Sequence, residues 1–359
     1  MSGILLRYLA REIYGSTLMV LLAFLGLFAF FDFVNELDDI GKDGYQVYHA
    51  LMYVVMIMPR RVYELLLVAV LIGTLYALTS LARHSEITVM RASGLSTRAM
   101  LGMLALIGLL PVALTYVVGE YIAPPAENAA QQWRLTATNS TVSQQLRSGL
   151  WVKDGPRVIN VRTVLPDRSM EKVRVYTFDD DGALASIAEA KRGQYNEDDG
   201  HWQLTDVVRT DFLSDRTAVS TPPELIWESA LTPEVLSVLM VQPERMSVVN
   251  LWTYIDHLRE NQQSSERYEI ALWKKLTNPF APLVMMALAL PFAFAHQRSG
   301  GVSVKVFLGV MLGVAYYLLN GLFSSLGMLN AWSPAIAAVT PSLLFLVAAM
   351  AMLYTVERR

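Results

Sequence analysis

The chain has 359 residues, 53% of them hydrophobic and only 17% charged, with 29 Lys/Arg against 32 Asp/Glu and no cysteine. A net charge of −3 excludes a generally basic nucleic-acid binder. The lack of cysteine excludes a disulfide framework, thiolate catalysis, Cys-ligated zinc and iron–sulfur clusters. Charge is also unevenly placed: residues 123–275 hold 17 Lys/Arg and 22 Asp/Glu, the density of a soluble domain, and the flanking segments are far poorer.

A helix that crosses a bilayer needs about 20 mostly apolar residues. Residues 13–31 carry no charge and form the first candidate, with no small-residue cleavage site after it, so an uncleaved anchor is expected. Residues 45–58 are apolar but too few to cross; Pro59-Arg60-Arg61 follows, and a short surface helix bending at Pro59 into the second span is predicted. Uncharged stretches at 65–82, 99–119 and 276–295 supply spans two to four. Residues 306–356 are uncharged throughout and long enough for two spans, with Asn330-Ala331-Trp332-Ser333-Pro334 as the connection, Ser333 as N-cap and Pro334 opening the last helix. Six spans result, three on each side of the polar insert, and this 3+3 arrangement hints at two halves of common origin.

Orientation follows from the positive-inside rule. Arg7, Arg11, Arg83, Arg91, Arg98, Arg298, Lys305, Arg358 and Arg359 fall on one side, and only Lys42, Arg60 and Arg61 on the other, among several acids. Both termini are therefore expected in the cytoplasm and the insert outside it. Within the insert, runs at 150–153, 157–164, 172–178, 184–190, 202–209 and 224–228 are rich in Val, Ile, Tyr and Trp. Asp154-Gly155-Pro156, Pro166-Asp167, Asp181-Gly182 and Asp199-Gly200 between them are turn signals. A β-jellyroll-like domain, a sandwich or partly open roll, is predicted, with helices over 123–145 and 247–263 beside it. The fold class is thus an α-helical membrane protein with a β insert. Its domains are residues 1–122 (three spans and a cytoplasmic helix over 84–94), 123–265 (the β domain) and 266–359 (three spans).

Catalytic signatures are missing. No phosphate-cradling G-x-x-x-x-G-K-[ST], G-x-S-x-G, H-E-x-x-H or G-x-G-x-x-G occurs. The five histidines are scattered, the acidic triplets at 179–181 and 197–199 sit in turns, and no metal site is expected. The informative segment joins spans two and three. Ser85, Glu86 and Thr88 favour a helix start there, Ile87, Met90 and Leu95 give it an apolar side, and Gly94 is placed to end it. Such a short helix offers a carboxylate and a guanidinium, Glu86 and Arg91, to a groove on a soluble partner; alternatively it only joins two spans.

Ser85 through Gly94 resembles the coupling-helix segment of the lipopolysaccharide-export permeases, the LptF/LptG family. Further matches are Arg7-Tyr8, Gly119-Glu120-Tyr121-Ile122-Ala123-Pro124, Gly149-Leu150-Trp151-Val152-Lys153-Asp154-Gly155, Arg267-Tyr268, Leu272-Trp273-Lys274-Lys275 and Pro279. In order and spacing they cover nearly the whole chain and point to the LptG branch.

The resemblance implies an inner-membrane subunit of an ABC transporter that extracts lipopolysaccharide and passes it through a periplasmic β domain. Its implied partners are an LptF-like permease, a dimeric LptB-like cytoplasmic ATPase and an LptC-like bridge protein. The chain would be no enzyme and hold no cofactor, with ATP and Mg used by the ATPase. Ser85, Glu86, Met90 and Arg91 would meet that ATPase. Arg134, Arg60 and Arg61 would hold lipid phosphates, although ordinary interfacial snorkelling also accounts for the last two. Phe28 and Phe31 in span one, with Phe307 and Tyr316 in span five, would line a lateral gate for acyl chains, helped by close helix approach at Gly309, Gly313 and Gly321. Where enterobacterial family members carry lysines after span one, this chain has Asp32, Asp38 and Asp39. Either the other basic residues substitute for those lysines, or Mg²⁺ or Ca²⁺ bridges acid to phosphate. The rival reading is an FtsX/MacB-like permease that works mechanically in the periplasm; its four-span plan argues against it. A membrane-embedded enzyme would need an intramembrane catalytic pair, which Asp32, Glu64 and Glu120 do not form.

Overall fold

The computed structural model describes residues 2–42, 44–137, 149–164, 169–179, 181–196, 199–213, 215–227, 242–294, 302–329 and 332–358. The expectations for Arg298, His296, Arg359 and residues 138–145 fall outside these. The chain divides into two compact units, one of residues 1–36, 54–127 and 266–359, the other of residues 37–53 and 128–265.

The first unit is helical. Its elements are α1 (Ser2–Glu36), the body of α2 (Val47–Arg83), α3 (Glu86–Ala92), α4 (Thr97–Val117), the first turns of α5 (Ala123–Ala137), α7 (Glu266–Thr277), α8 (Ala281–Phe294), α9 (Val302–Leu329) and α10 (Pro334–Glu357). Among the described residues five helices are long and apolar enough to cross a membrane: α1, α2, α4 with its extension, α9 and α10. The fourth predicted span is described as α8, only 14 residues, entered through α7 and a 3₁₀ turn at Asn278–Phe280. Ser333 occupies the N-cap position of α10, its side chain making no capping bond, and Pro334 begins the helix, where a proline sacrifices no helical hydrogen bond.

One expectation is corrected here. Pro59 does not separate a surface helix from span two; α2 runs unbroken for 37 residues with Pro59 inside it. The apolar residues on both sides of the proline keep a single helix favourable although one backbone donor is lost. After span three, α4 passes through a five-residue π turn, Val118–Ile122, directly into α5, without a loop.

Helix α2 is the hub, with 72% of its apolar window buried, against 11% for α1 and 17% for α9. The most buried residues in the first half of α1 recur at four-residue spacing: Leu9, Ile13, Thr17 and Leu21 are each at most 9% exposed, and Tyr14 beside them donates to the Ile107 carbonyl of α4 at 2.7 Å. Opposite that stripe lies Gly73, where a Cβ would stand 2.5 Å from the Thr17 Cα. A small residue is what lets two helix backbones come that close in a bilayer.

The second unit contains β1 (Leu150–Asp154), β2 (Arg157–Val164), β3 (Met170–Phe178), β4 (Leu184–Asn196), β5 (His201–Phe212), β6 (Thr217–Ser220), β7 (Glu224–Trp227) and α6 (Val248–Glu260). The described strands form one antiparallel sheet in sequential order β1 to β6, with β7 also pairing β5. This is a meander of hairpins, and the turns predicted at Gly155, Gly182 and Gly200 all have φ between 57° and 78°, which glycine adopts without strain. Inward-facing residues alternate until one level of the sheet, where Lys172, Lys191 and Asp206 lie on neighbouring strands, all exposed. Lys172 and Asp206 have φ of 53° and 56°. Beyond them the buried series slips by one residue, from Val173, Ala190 and Val207 to Met170, Gly193 and Leu204, while pairing keeps its register.

The sheet's core centres on Trp202 and Trp227, 0% and 1% exposed, with ring centroids 6.2 Å apart. The Trp227 indole donates to Asp154 at 3.2 Å, and the Gly155 amide donates to Asn261 Oδ1 at 2.7 Å, which ties α6 to the first hairpin. Trp202→Ala should cost about 3–5 kcal/mol, as expected for emptying a buried indole site. Loss of the β-domain unfolding transition, read by tryptophan fluorescence in denaturant, checks it.

Candidate coupling helix and lipid-contact residues

Helix α3 is two turns long and begins at Ser85, whose backbone is left-handed (φ 63°) and whose side chain makes no capping bond. Its end is firmer. Gly94 (φ +95°) donates to the Arg91 carbonyl at 3.0 Å and Leu95 to that of Met90 at 3.1 Å, the paired bonds of a glycine-terminated helix. Ile87 anchors the helix in the core at 3% exposure. Two side chains fasten it to other helices. The Tyr8 hydroxyl of α1 donates to Glu86 Oε2 at 2.8 Å. The Arg91 guanidinium stands 4.8 Å over the Phe294 ring of α8, a favourable cation–π distance. Between α3 and the starts of α1 and α4 runs an open apolar groove of about 1060 Å³, with Ile4, Tyr8, Met90, Leu95 and Met103 on its walls.

The three arginines expected to hold lipid phosphates, Arg60, Arg61 and Arg134, all face carboxylates of the chain itself. Arg61 meets Asp32 through two nitrogens, the Nε bond being 2.8 Å, and reaches Glu64 at 2.9 Å. Its guanidinium also lies 5.3 Å from the Phe28 ring. Arg60 donates to Glu64 at 2.8 Å and lies 3.5 Å from Glu127. Asp32 and Glu127 are 9% and 1% exposed, so this cluster sets two guanidiniums against carboxylates that need them. In the second unit, Arg134 pairs with Asp39 at 2.7 Å and lies 5.7 Å from the Tyr53 ring, and Lys42 shares Asp39 at 3.0 Å. Asp32 and Asp39 are thus already matched by cations of the chain itself. Among the described residues no cluster of three or more His, Asp or Glu is placed to hold a metal ion.

The gate candidates separate. Phe31 and Phe307 are 52% and 61% exposed on α1 and α9, and Phe28 is half-buried beneath Arg61. Tyr316 departs from this set and is corrected here: it is 2% exposed, shares a 3.0 Å hydrogen bond with Ser342 and packs edge-on against Phe345. A phenol with an internal partner gains more in the core than against lipid. Gly309 and Gly313 bring α9 onto α2, since a Cβ at either would meet Leu75 at 2.6 Å or Val68 at 3.1 Å; Gly321 faces open space.

The profile described as lipopolysaccharide export system permease LptF/LptG matches residues 7–355 of the chain. The chain belongs to the LptF/LptG family. It is 30% identical to the lipopolysaccharide export system permease protein LptG of Haemophilus influenzae over 342 residues, 95% of each chain. It is also 30% identical to the protein of that name from Escherichia coli over 345 residues, 96% of each. A match of this extent disfavours the FtsX/MacB-like alternative.

Several residues of this LptF/LptG permease escaped the sequence reading of its site. Tyr8 belongs to a family motif, but nothing local says that its hydroxyl reaches a carboxylate 78 positions away. Phe294 reads as one more apolar residue. Glu127 carried a signal, a lone acid next to an apolar span. Lys275 carried another: it is 9% exposed just ahead of α8, and burial pushes its ammonium down to about 8 against the opposing pull of Glu120.

Proposed function

We propose that this LptF/LptG-family chain is one half of an inner-membrane heterodimer with an LptF-like permease, and that the pair lifts lipopolysaccharide from the bilayer toward an LptC-like bridge. A separate dimeric ATPase of LptB type, using ATP and Mg, would drive it from the cytoplasmic side. The observation that carries this reading is the contrast between the buried hub α2 and the exposed apolar lengths of α1 and α9. Exposed faces on those two helices suit a partner permease and the acyl chains between them. Phe31 and Phe307 are assigned to that lining.

In this reading Ser85, Glu86, Met90 and Arg91 form the ATPase contact. Termini in the cytoplasm and the sheet in the periplasm agree with the distribution of Arg and Lys. Arg134 is assigned to a lipid phosphate, because it shares one carboxylate with Lys42, so phosphate can exchange for Asp39 at little cost. Arg60 and Arg61 are assigned first to holding α1 and α2 together, with any phosphate contact secondary. Depletion of the chain tests the function: lipopolysaccharide should accumulate at the inner membrane. A septation defect with normal lipid distribution would refute it.

A further inference from the structure

We propose that Tyr8 and Phe294 are positioning residues that divide motion of the coupling helix between two helices of the bundle, α1 and α8. The proposal rests on the reading of α3 as the ATPase contact. Helix α3 is only seven residues long and lies beside an open groove, so Ile87 alone does not fix its orientation. The two side-chain contacts do. Tyr8 donates to one oxygen of Glu86, and Phe294 lies beneath Arg91, five residues further along the helix. They leave α3 toward different helices, one to α1 and one to α8.

Each contact also survives docking. A carboxylate has two oxygens and about four acceptor sites, so a cation arriving at Glu86 need not displace the Tyr8 hydroxyl. A guanidinium stacked on a ring keeps its edge N–H groups available for a new acceptor. The groups that would meet the ATPase therefore remain attached to the membrane helices while they do so.

The receiving helix is suited to move. Tyr8 precedes the Leu9–Ile13–Thr17–Leu21 stripe by one residue, and α1 meets the bundle along its first half through that stripe and the Tyr14 hydroxyl, which donates to the Ile107 carbonyl of α4 at 2.7 Å. Its far end is held by Asp32 and Arg61. A pull at Tyr8 is thus applied at the end of a long helix with only 11% of its apolar window buried, whose exposed face is the apolar surface assigned to the substrate and the partner.

The test uses the complete transporter in proteoliposomes containing lipopolysaccharide, with lipid extracted per ATP hydrolysed as the readout. Tyr8→Phe removes only the hydroxyl of an exposed ring, and should leave assembly and basal ATP hydrolysis unchanged while extraction per ATP falls about three- to tenfold. Phe294→Leu should do the same, and Phe294→Tyr, which keeps a π face, should restore the ratio. Tyr8→Phe combined with Glu86→Gln should be no worse than Glu86→Gln alone. A wild-type ratio in both Tyr8→Phe and Phe294→Leu, or strictly additive losses in the double variant, overturns the proposal even if Glu86→Arg still loses the ATPase. If Glu86→Arg instead retains ATPase and export, the docking reading itself falls, and the wiring with it.

Discussion

Reversing the charge at Glu86 (Glu86→Arg) should abolish export and leave the chain folded. The carboxylate is half-buried on a two-turn helix, and among the described residues it is held by the Tyr8 hydroxyl, so little of the helical unit depends on it. Its effect should appear at the ATPase. An interfacial charge pair that loses one partner costs about 3–5 kcal/mol, and replacing the anion by a cation adds repulsion. At 1.4 kcal/mol per factor of ten, docking weakens by about 10²–10³-fold or more. Co-purification of the ATPase and growth of cells that rely on this chain measure it. Glu86→Gln should fall between, because the amide oxygen still accepts from Tyr8 but attracts a cation weakly. Retained ATPase in Glu86→Arg would remove α3 from the interface.

Arg61→Ala should be the most destabilising single change in the helical unit, by about 3–5 kcal/mol. It strands Asp32, 9% exposed on α1, which has given up water for a two-nitrogen contact with this guanidinium. Glu64 also loses a bond but keeps Arg60 at 2.8 Å, so the penalty concentrates on Asp32. The double variant Asp32→Ala/Arg61→Ala should recover most of the loss, because it leaves no buried charge without its counterion. Thermal unfolding of the purified chain in detergent distinguishes the cases. If Arg61→Ala unfolds like the wild type and instead lowers ATPase stimulation by lipopolysaccharide, Arg61 is a phosphate ligand first.

This second prediction reverses the reading that the sequence invites. Two arginines after a proline, on the side poor in cations, look like surplus charge available to a lipid. Asp32 and Glu127 answer them from 29 and 67 positions away. Which acid meets which base depends on how α1, α2 and α5 pack, and no local pattern records it. Tyr316 was misread for the same reason. On a helix with apolar residues all round, periodicity does not say which side faces lipid, and the Ser342 hydroxyl that receives it comes from another helix.

The sheet shows the same limit at the scale of one element. Alternation of inward and outward residues reveals β2 closely, but the predicted third strand begins at residue 172 and the fourth stops at 190. Those are the points where positive φ at Lys172, and the opposed Lys191 and Asp206, shift the buried series by one residue. A reader of period two stops where the period slips, although the strands continue.

What the sequence determined by itself is therefore what one segment decides alone. Apolar length set the candidate spans, turn glycines set the hairpins, and the order of motifs from Arg7 to Pro279 set the family, since each depends on neighbouring residues and water or lipid. The tertiary structure decided the rest. Tyr8 on Glu86, Phe294 under Arg91, Arg61 on Asp32 and Arg134 on Asp39 are contacts between helices or segments distant in sequence. A charge buried in an apolar body is costly without a partner, but the choice among partners is made only when the helices pack.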